Sequence, residues 1–196
     1  KAIEDKVLAV LLLLVLAPVY AAITLAIRLD SPGPILFRQP RTGFNGESFT
    51  IYKFRTMRDD MADVAGARQT SRDDPRVTRV GRFLRRTSLD ELPQFLNVLK
   101  GDMSLVGPRP HAEGTRVGSE PFELSAKHYM QRYRVKPGVT GWAQVNGWRG
   151  EADSVEKLQM RIRYDIEYVD NWSIGFDLYI LMITPFVVLF KRDNAY

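Results

Sequence analysis

Two adjacent carboxylates, Asp90 and Glu91, stand just ahead of a proline at position 93 and just behind a strongly basic stretch. That stretch, residues 76–86, contains five arginines. An aspartate can attack phosphorus and form an aspartyl-phosphate type of intermediate. A carboxylate pair can also hold Mg²⁺, which typically takes one or two carboxylates together with substrate phosphate oxygens. The region around residue 90 therefore indicates either phosphoryl-transfer chemistry or an ordinary helix-capping sequence.

The capping alternative rests on Ser88 and Glu91, which have the S-x-x-E spacing of a capping box. With Ser88 as the N-cap, Pro93 would occupy the fifth helical position, where its missing N–H donor destabilises a helix. Proline is favoured instead at the first helical position. We therefore expect the main helix to start or kink at Pro93, with Asp90 and Glu91 on the approach to an N-terminus that favours anions.

Four further cations lie in or beside turn motifs, where a constrained backbone can aim them. They are Lys53 and Arg55 in KFRTM, Arg109 in GPRP and Arg149 in GWRG. Phosphoryl transfer needs fixed cations around the transferring group, together with a metal ion. The alternative is a set of solvated surface charges, and each of these residues is weak evidence when taken alone.

The composition limits the classes of partner. The 196 residues carry a formal net charge of +5 at pH 7, which favours nucleic acid, anionic lipid or a phosphorylated substrate. The chain has no cysteine, so disulfides and thiolate chemistry are excluded. Its two histidines are too few for a His-based metal cluster. The sequence also lacks the phosphate-loop, dinucleotide, zincin and nucleophile-elbow motifs.

Residues 7–27 contain no charge, and thirteen of them are Leu, Ile or Val. A straight helix of that length measures about 31 Å, enough for the hydrocarbon core of a bilayer. Pro18 lies in the middle of the segment and costs roughly 3 kcal/mol in a helix interior. Basic residues flank both ends, so charge gives no orientation. Hydropathy leaves open a span or a helix that dips in and returns to the same face.

The rest of the chain contains recognisable elements. Residues 35–57 have alternating apolar runs around a turn-rich spacer and predict a β-hairpin. The spacing of arginines and apolar residues over 76–86 predicts an amphipathic helix. Residues 154–169 predict a charged helix, and 174–190 an apolar, aromatic helix suited to a membrane interface. The polar residues 58–75 are expected to form a loop.

Five ordered motifs together resemble the bacterial sugar transferase family, the monotopic polyprenyl-phosphate phosphoglycosyl transferases. The motifs are KFRTM, TSLDELPQFLNVLKGDMSLVGPRP, RYRVKPGVTGWAQVNGWRG, YDIEYVDNWS and the closing NAY. The resemblance covers essentially the whole chain. It implies that a nucleoside-diphosphate sugar gives its sugar-1-phosphate to undecaprenyl phosphate, yielding undecaprenyl-diphospho-sugar and UMP.

The resemblance also implies roles for individual residues. Asp90 would be the nucleophile that forms a covalent phosphosugar intermediate, and Glu91 would assist through Mg²⁺, which makes both predicted metal ligands. The predicted substrate- and phosphate-binding residues are Lys53, Arg55, Arg109, Arg149 and Asp165. Of these, Asp165 would organise the site.

The stretches PHAEG and GWRGEADS are most similar to the branch that starts exopolysaccharide repeats from UDP-glucose, with UDP-galactose as the alternative donor. Members of that branch usually carry an N-terminal polytopic region, so we expect this chain to be a module of a longer protein. The resemblance further implies a re-entrant helix with both ends on the cytoplasmic face of the bacterial inner membrane. Small family members break that helix at Ser-Pro, whereas this chain has Ala17 and Pro18, and alanine offers no hydroxyl for a freed carbonyl.

Together these features predict an α+β, helix-rich fold with a re-entrant N-terminal membrane helix, a small β-hairpin and amphipathic interfacial helices. The predicted divisions are residues 1–30 for the membrane helix, 31–173 for a cytoplasmic catalytic domain and 174–196 for an interfacial helix and tail. The predicted partners are a UDP-sugar, undecaprenyl phosphate and membrane lipid, with Mg²⁺ as cofactor, no nucleic acid, and a homo-oligomer left open. The competing hypothesis is a non-catalytic basic module that binds anionic lipid or a synthesis partner through residues 76–86.

Overall fold

The computed structural model describes residues 1–58, 74–112, 114–117, 120–125, 127–150, 152 and 154–190, except for the side chain of residue 189. Most of the predicted loop 58–75 and the predicted tail after residue 190 lie outside the described residues. The α-helices are α1 (Ala2–Val15), α2 (Ala17–Asp30), α3 (Arg79–Thr87), α4 (Gln94–Lys100), α5 (Phe122–Ser125), α6 (Trp142–Val145), α7 (Val155–Asp170) and α8 (Ile174–Phe190). The strands are β1 (Leu36–Thr42), β2 (Ser48–Phe54), β3 (Ser104–Val106), β4 (Arg116–Val117), β5 (Glu120–Pro121) and β6 (Gly138–Thr140). The chain is helix-rich with small sheets, as predicted, and α7 and α8 match their predicted ranges.

The apolar N-terminal segment is two helices rather than one. α1 and α2 meet at Leu16 and are bent by 62°. Pro18 falls in the first turn of α2, where its missing donor is tolerated. Within the described residues no single helix is long and apolar enough to cross a bilayer, and α1 and α2 meet that requirement only as a bent pair.

Buried carboxylates attach the apolar helices to the rest of the molecule. Asp5 of α1 accepts a hydrogen bond from Ser104 Oγ at 2.8 Å, which joins α1 to β3. Asp177 of α8 is 2% exposed, accepts the Tyr168 hydroxyl at 2.7 Å and pairs with Lys1. Buried charges require such partners, so these contacts fix α1 and α8 relative to β3 and α7.

The predicted β-hairpin is present. β1 and β2 pair antiparallel, with Leu36 opposite Phe54 at the open end. Ile51 and Lys53 lie on the same face of β2, because strand residues two apart point the same way. Ile51 is in the core, and the hairpin packs against α4 and against the residues that precede it. Lys53 is thereby aimed toward the region of Asp90 and Glu91.

α3 starts at Arg79, so the predicted helix over 76–86 is wrong at its N-terminal end. Thr78 is the N-cap, and its hydroxyl accepts a hydrogen bond from the Gly81 N–H at 2.9 Å. A Cβ atom on Gly81 would lie 2.0 Å from the carbonyl oxygen of Thr56. Only glycine permits this close crossing, which seats α3 against the end of the hairpin.

β3, which directly precedes the GPRP loop, pairs in parallel with β6. Ser104 lies opposite Gly138 in this pair. A Cβ atom on Gly138 would lie 2.1 Å from the backbone nitrogen of Gly107, so the two chains can approach this closely only at glycine. The contact fixes the backbone two residues before Arg109.

Candidate active site

Asp90 and Glu91 lie in a 3₁₀ turn, Leu89–Glu91, between α3 and α4. Ser88 ends α3 in the left-handed region, with φ 58°. Pro93 is the N-cap of α4, which confirms the prediction of a helix that starts there. The capping-box alternative is wrong, because the Ser88 side chain makes no cap hydrogen bond to this turn. The turn leaves both carboxylates available for other contacts.

Glu91 is held by two of the predicted cations. Lys53 Nζ lies 2.7 Å from Oε1, and Arg109 donates to both oxygens, with Nη1 3.0 Å from Oε2. A bidentate arginine–carboxylate pair is a strong and directional contact. Burial alone would raise the pKa of Glu91, but Arg109 and Lys53 hold that pKa well below its usual range. Glu91 is therefore ionised at neutral pH, with both oxygens engaged.

Asp90 has a different environment from its neighbour. Its side chain is 7% exposed, and within the part of the chain that the structure describes it receives no hydrogen bond or ion pair. Burial raises the pKa of Asp90, Lys53 opposes the rise and the charge of Glu91 adds to it. The two carboxylates are thus unequal, since Glu91 is occupied while Asp90 keeps free lone pairs.

Lys53 and Arg109 come to Glu91 from two separate segments, Lys53 from β2 and Arg109 from the loop after β3. Their side chains are 16% and 25% exposed. Burial lowers the pKa of Lys53, Glu91 opposes this and Arg109 adds to it. Burial acts on Arg109 in the same direction, but Glu91 more than compensates and the pKa of Arg109 is raised. The positive charge of Arg109 disfavours the charged form of Lys53. The negative charge of an incoming phosphate would stabilise that form.

Arg149 reaches the same place from the loop after α6. Its guanidinium donates to the hydroxyl of Ser88, the residue that begins the turn. Burial lowers the pKa of Arg149, and Glu91 opposes the shift. The structure therefore brings together five of the residues that the motifs indicated, two carboxylates and three cations.

Two more cations, which no family motif marked, lie at the site. Arg41 of β1 donates from Nη1 to the carbonyl oxygen of Pro110 at 3.3 Å. Burial lowers the pKa of Arg41 to about 10, and Arg109 contributes to the shift. Arg85 of α3 is close enough to oppose the rise in the pKa of Asp90. The signal for Arg85 was its place in the basic stretch, whereas Arg41 had none.

Asp165 lies behind the site and not in it. It is 2% exposed and pairs with Arg132, whose Nη2 is 2.8 Å from Oδ2. Arg132 in turn donates to the backbone carbonyl of Arg109 and to Nδ1 of His111, the latter at 2.6 Å. Asp165 therefore connects to Glu91 through Arg132 and Arg109, and its organising role stays a prediction.

Arg161 supports the loop of Arg149 in the same buried network. It donates to the carbonyl oxygens of Trp148 at 3.1 Å and Gly150 at 2.9 Å, the two neighbours of Arg149. Burial lowers the pKa of Arg161 to about 10. His111 lies among these arginines, and burial together with their charges holds its pKa well below the usual range. His111 is therefore an uncharged structural partner.

The structure does not bring Arg55 to this cluster. Its guanidinium donates to the carbonyl oxygens of Ser31 and Pro32, both at 2.7 Å, in the turn between α2 and β1. Arg55 is 5% exposed, so these carbonyls are its environment. The contacts favour a role in holding the turn over the predicted role in binding phosphate.

A divalent cation fits the carboxylate pair. Among the described residues no three His, Cys, Asp or Glu side chains gather as an all-protein metal site requires. Mg²⁺ does not need such a cage, since one or two carboxylates suffice when substrate phosphates and water complete the shell. Among the described residues none donates to the Asp90 oxygens, and Glu91 Oε2 accepts only from Arg109 Nη1, so each carboxylate keeps an acceptor site. These two residues could hold Mg²⁺ once a phosphorylated substrate is present.

The site gathers cations and two carboxylates around one turn, in a chain whose N-terminal apolar helices form a bent pair. The sequence profile of the family described as "Bacterial sugar transferase" matches residues 1–191. The chain therefore belongs to the bacterial sugar transferase family, which confirms the resemblance found in the motifs.

Several relatives have functional names. The chain is 53% identical over 189 residues to "Undecaprenyl-phosphate glucose phosphotransferase" of Komagataeibacter xylinus, covering 96% of this chain and 36% of the relative. It is 50% identical over 198 residues to "UDP-glucose:undecaprenyl-phosphate glucose-1-phosphate transferase" of Caulobacter vibrioides, covering 100% and 72%. It is 52% identical over 172 residues to "Exopolysaccharide production protein PSS" of Rhizobium leguminosarum bv. phaseoli, covering 88% and 86%. The chain spans well under half of the first of these proteins.

Proposed function

We propose that this chain transfers glucose-1-phosphate from UDP-glucose to undecaprenyl phosphate and releases UMP, as the first membrane step of exopolysaccharide synthesis. The observation that carries the proposal is the inequality of the two carboxylates. Asp90 is buried and receives no hydrogen bond from the described residues, while Glu91 is bound by Lys53 and Arg109. The names of relatives at about half identity support the substrates.

Asp90 is the better nucleophile of the pair for a physical reason. A carboxylate whose lone pairs already accept hydrogen bonds from cations is stabilised and attacks poorly. Glu91 already accepts hydrogen bonds from Arg109 and Lys53, and these two cations hold its pKa low. The pKa of Asp90 is raised by burial, so its carboxylate is more basic and more reactive toward phosphorus. The assignment follows from the environments and not from the residue types.

The proposed reaction has two displacements at one phosphorus atom. In the first, an oxygen of Asp90 attacks the phosphorus that carries glucose. The bond from that phosphorus to the bridging oxygen breaks, and UMP leaves with the electron pair. In the second, a phosphate oxygen of undecaprenyl phosphate attacks the same phosphorus, and the Asp90 carboxylate leaves. Each step makes one P–O bond and breaks one, with no net proton transfer.

The cations supply the electrostatic part of the proposal. Lys53, Arg109 and Arg149 stand on three separate segments around the turn, so together they can contact several phosphate oxygens. Charge that develops on the transferring group is stabilised most by cations already in place. Asp90 and Glu91 would hold Mg²⁺, which when bound neutralises phosphate charge.

The proposed location is the cytoplasmic face of the bacterial inner membrane. The outward positions of α1 include exposed apolar residues, and α8 presents others; examples are Leu11, Leu14, Val15, Met182 and Phe186. The 62° bend of α1 and α2 suits a re-entrant helix that returns to the face it entered. Membrane lipid would then cover these side chains, and the lipid acceptor would reach Asp90 from the same surface.

The proposal is tested by Asp90→Asn, with Asp170→Asn on the exposed end of α7 as the control. UMP release from UDP-glucose should fall by at least about 10³-fold in the first variant and stay at the wild-type level in the second. Withholding undecaprenyl phosphate should leave radiolabelled sugar-phosphate attached to the wild-type protein and to Asp170→Asn, but not to Asp90→Asn. Chelation should stop release, and added Mg²⁺ should restore it.

The outcomes separate the alternatives. Turnover that survives in Asp90→Asn would refute Asp90 as the nucleophile. Absence of UMP release from the wild-type protein would favour the non-catalytic lipid-binding module. Turnover without a trapped adduct would indicate direct transfer. A panel of UDP-sugars, with UDP-galactose among them, would show which donor the chain uses.

A further inference from the structure

The turn that carries the two carboxylates is held from outside by a tyrosine of the membrane helix. Tyr20 of α2 donates its hydroxyl hydrogen to the carbonyl oxygen of Leu92, with 2.6 Å between the oxygens. Leu92 directly follows Glu91 in the chain. A tyrosine hydroxyl has an ordinary pKa near 10, so it is a donor at neutral pH.

This outside contact matters because the turn is weakly held by itself. The nitrogen–oxygen distance is 3.1 Å from the Glu91 N–H to the Ser88 carbonyl and 3.3 Å from the Leu92 N–H to the Leu89 carbonyl, and the second exceeds the ordinary range. A 3₁₀ turn has poorer hydrogen-bond geometry than an α-helix. The Tyr20 hydroxyl adds a well-formed contact of 2.6 Å at the C-terminal end of the turn, where the backbone hydrogen bond is longest.

The other end of Tyr20 is attached to the bend between α1 and α2. Its backbone N–H donates to the carbonyl oxygen of Leu16 at 2.9 Å, and Leu16 is the residue at the break. Its ring lies 5.4 Å from the ring of Phe54 at the end of β2. Leu89 and Leu92, on either side of the carboxylates, pack into the same apolar cluster.

We propose that Tyr20 is a positioning residue that couples the bend of the membrane helix to the turn of Asp90 and Glu91. A change in the bend moves the backbone of Tyr20, and its hydroxyl transmits the change to the carbonyl next to Glu91. The carboxylates are then placed for attack only when the helix pair has the observed bend. This inference rests on the proposed function and adds the membrane helix to its machinery.

The test is Tyr20→Phe, which keeps the ring and removes only the hydroxyl. Tyr179→Phe is the matched control, since Tyr179 lies on α8, is 47% exposed and makes no hydrogen bond to the described residues. UMP release is measured with the full chain in lipid nanodiscs, beside the wild type and Asp90→Asn. Tyr20→Phe should lower kcat by about 3- to 10-fold, as expected for one neutral hydrogen bond. The KM for UDP-glucose should match that of the control within about two-fold, and the thermal midpoint should fall by no more than about 6 °C, the cost of one hydrogen bond.

Every other outcome overturns the inference. An unchanged kcat would mean that the hydroxyl does not position the turn. A higher KM alone would mean an effect on donor binding. A midpoint lowered by more than about 6 °C, or loss of fold, would make the bond a stabilising contact only. The proposed function is judged separately, because turnover that persists in Asp90→Asn would refute it whatever Tyr20→Phe does.

Discussion

Asp165→Asn should destabilise the protein strongly, although Asp165 lies outside the site. The substitution keeps the shape of the side chain but removes the charge that pairs with Arg132 at 2.8 Å. Both side chains are almost inaccessible, 1% exposed for Arg132 and 2% for Asp165. Removing one partner of a buried ion pair costs about 3–5 kcal/mol, because the other charge stays buried without compensation.

The magnitude here should lie toward the upper part of that range. Arg161 and Arg132 share the same buried region, and the charge of Asp165 supports both of them. His111 offers no negative charge in return, since it is neutral. For a chain of this size 1 kcal/mol corresponds to about 2–4 °C, so the midpoint should fall by about 6–20 °C.

A second substitution separates stability from activity. Arg132→Met in the Asp165→Asn background removes the uncompensated charge and should recover at least about half of the lost stability, since apolar replacement of a buried pair is often neutral. The double variant still lacks the donor to the carbonyl of Arg109. A hydrogen bond to a charged group contributes about 1.5–3 kcal/mol. Even if all of this energy acts on the reaction, the loss of the bond lowers kcat by about 10- to 160-fold.

Thermal unfolding followed by near-ultraviolet circular dichroism would measure the midpoints, at one scan rate because unfolding of such proteins is often irreversible. UMP release would give kcat. The reasoning is refuted if Asp165→Asn unfolds within about 2 °C of Asp170→Asn, its control on the same helix. It also fails if the double variant is no more stable than the single one.

Two further substitutions test the buried residues around the site. Arg55→Met should lower the free energy of unfolding by about 1.5–3 kcal/mol through loss of its bonds to Ser31 and Pro32. The KM for UDP-glucose should stay within about two-fold of the wild-type value. A raised KM at unchanged stability would support the phosphate-binding role instead. The pKa of His111 is lower in the folded protein than its unfolded value near 6.5, so the unfolded state takes up a proton first as the pH falls. The free energy of unfolding therefore decreases below about pH 6.5, by at most about 1.4 kcal/mol per pH unit. His111→Gln should flatten this slope and the exposed His128→Gln should not; equal slopes in the two variants would contradict the buried neutral histidine.

Elements set by local preference were predictable. The apolar alternation around a turn indicated the hairpin, and the periodicity of residues 154–169 indicated α7, because side-chain spacing along one element records which face is buried. The break at Pro18 followed from its missing donor. The start of α3 was placed too early at Arg76 because Thr78, as N-cap, was not recognised as the boundary.

The buried network behind the site was not predictable. Arg132, His111 and Arg161 look like ordinary polar residues in the sequence. Whether an arginine is solvated or buried depends on partners far along the chain, and spacing does not record those. Arg41 was missed for the same reason, since only its closeness to the loop of Arg109 makes it part of the site.

The sequence by itself determined the chemical groups: a carboxylate pair ahead of a proline, a set of cations in turn motifs and an apolar segment with a proline at its centre. Only the tertiary structure decided which carboxylate is engaged and which is free, because that depends on where Lys53 and Arg109 converge. The tertiary structure also gave different surroundings to Lys53 and Arg55, although they are only two residues apart in the sequence. Lys53 lies within β2 and follows its pleat toward Glu91, whereas Arg55 lies beyond the last strand residue and turns to carbonyls that only the folded chain brings near it.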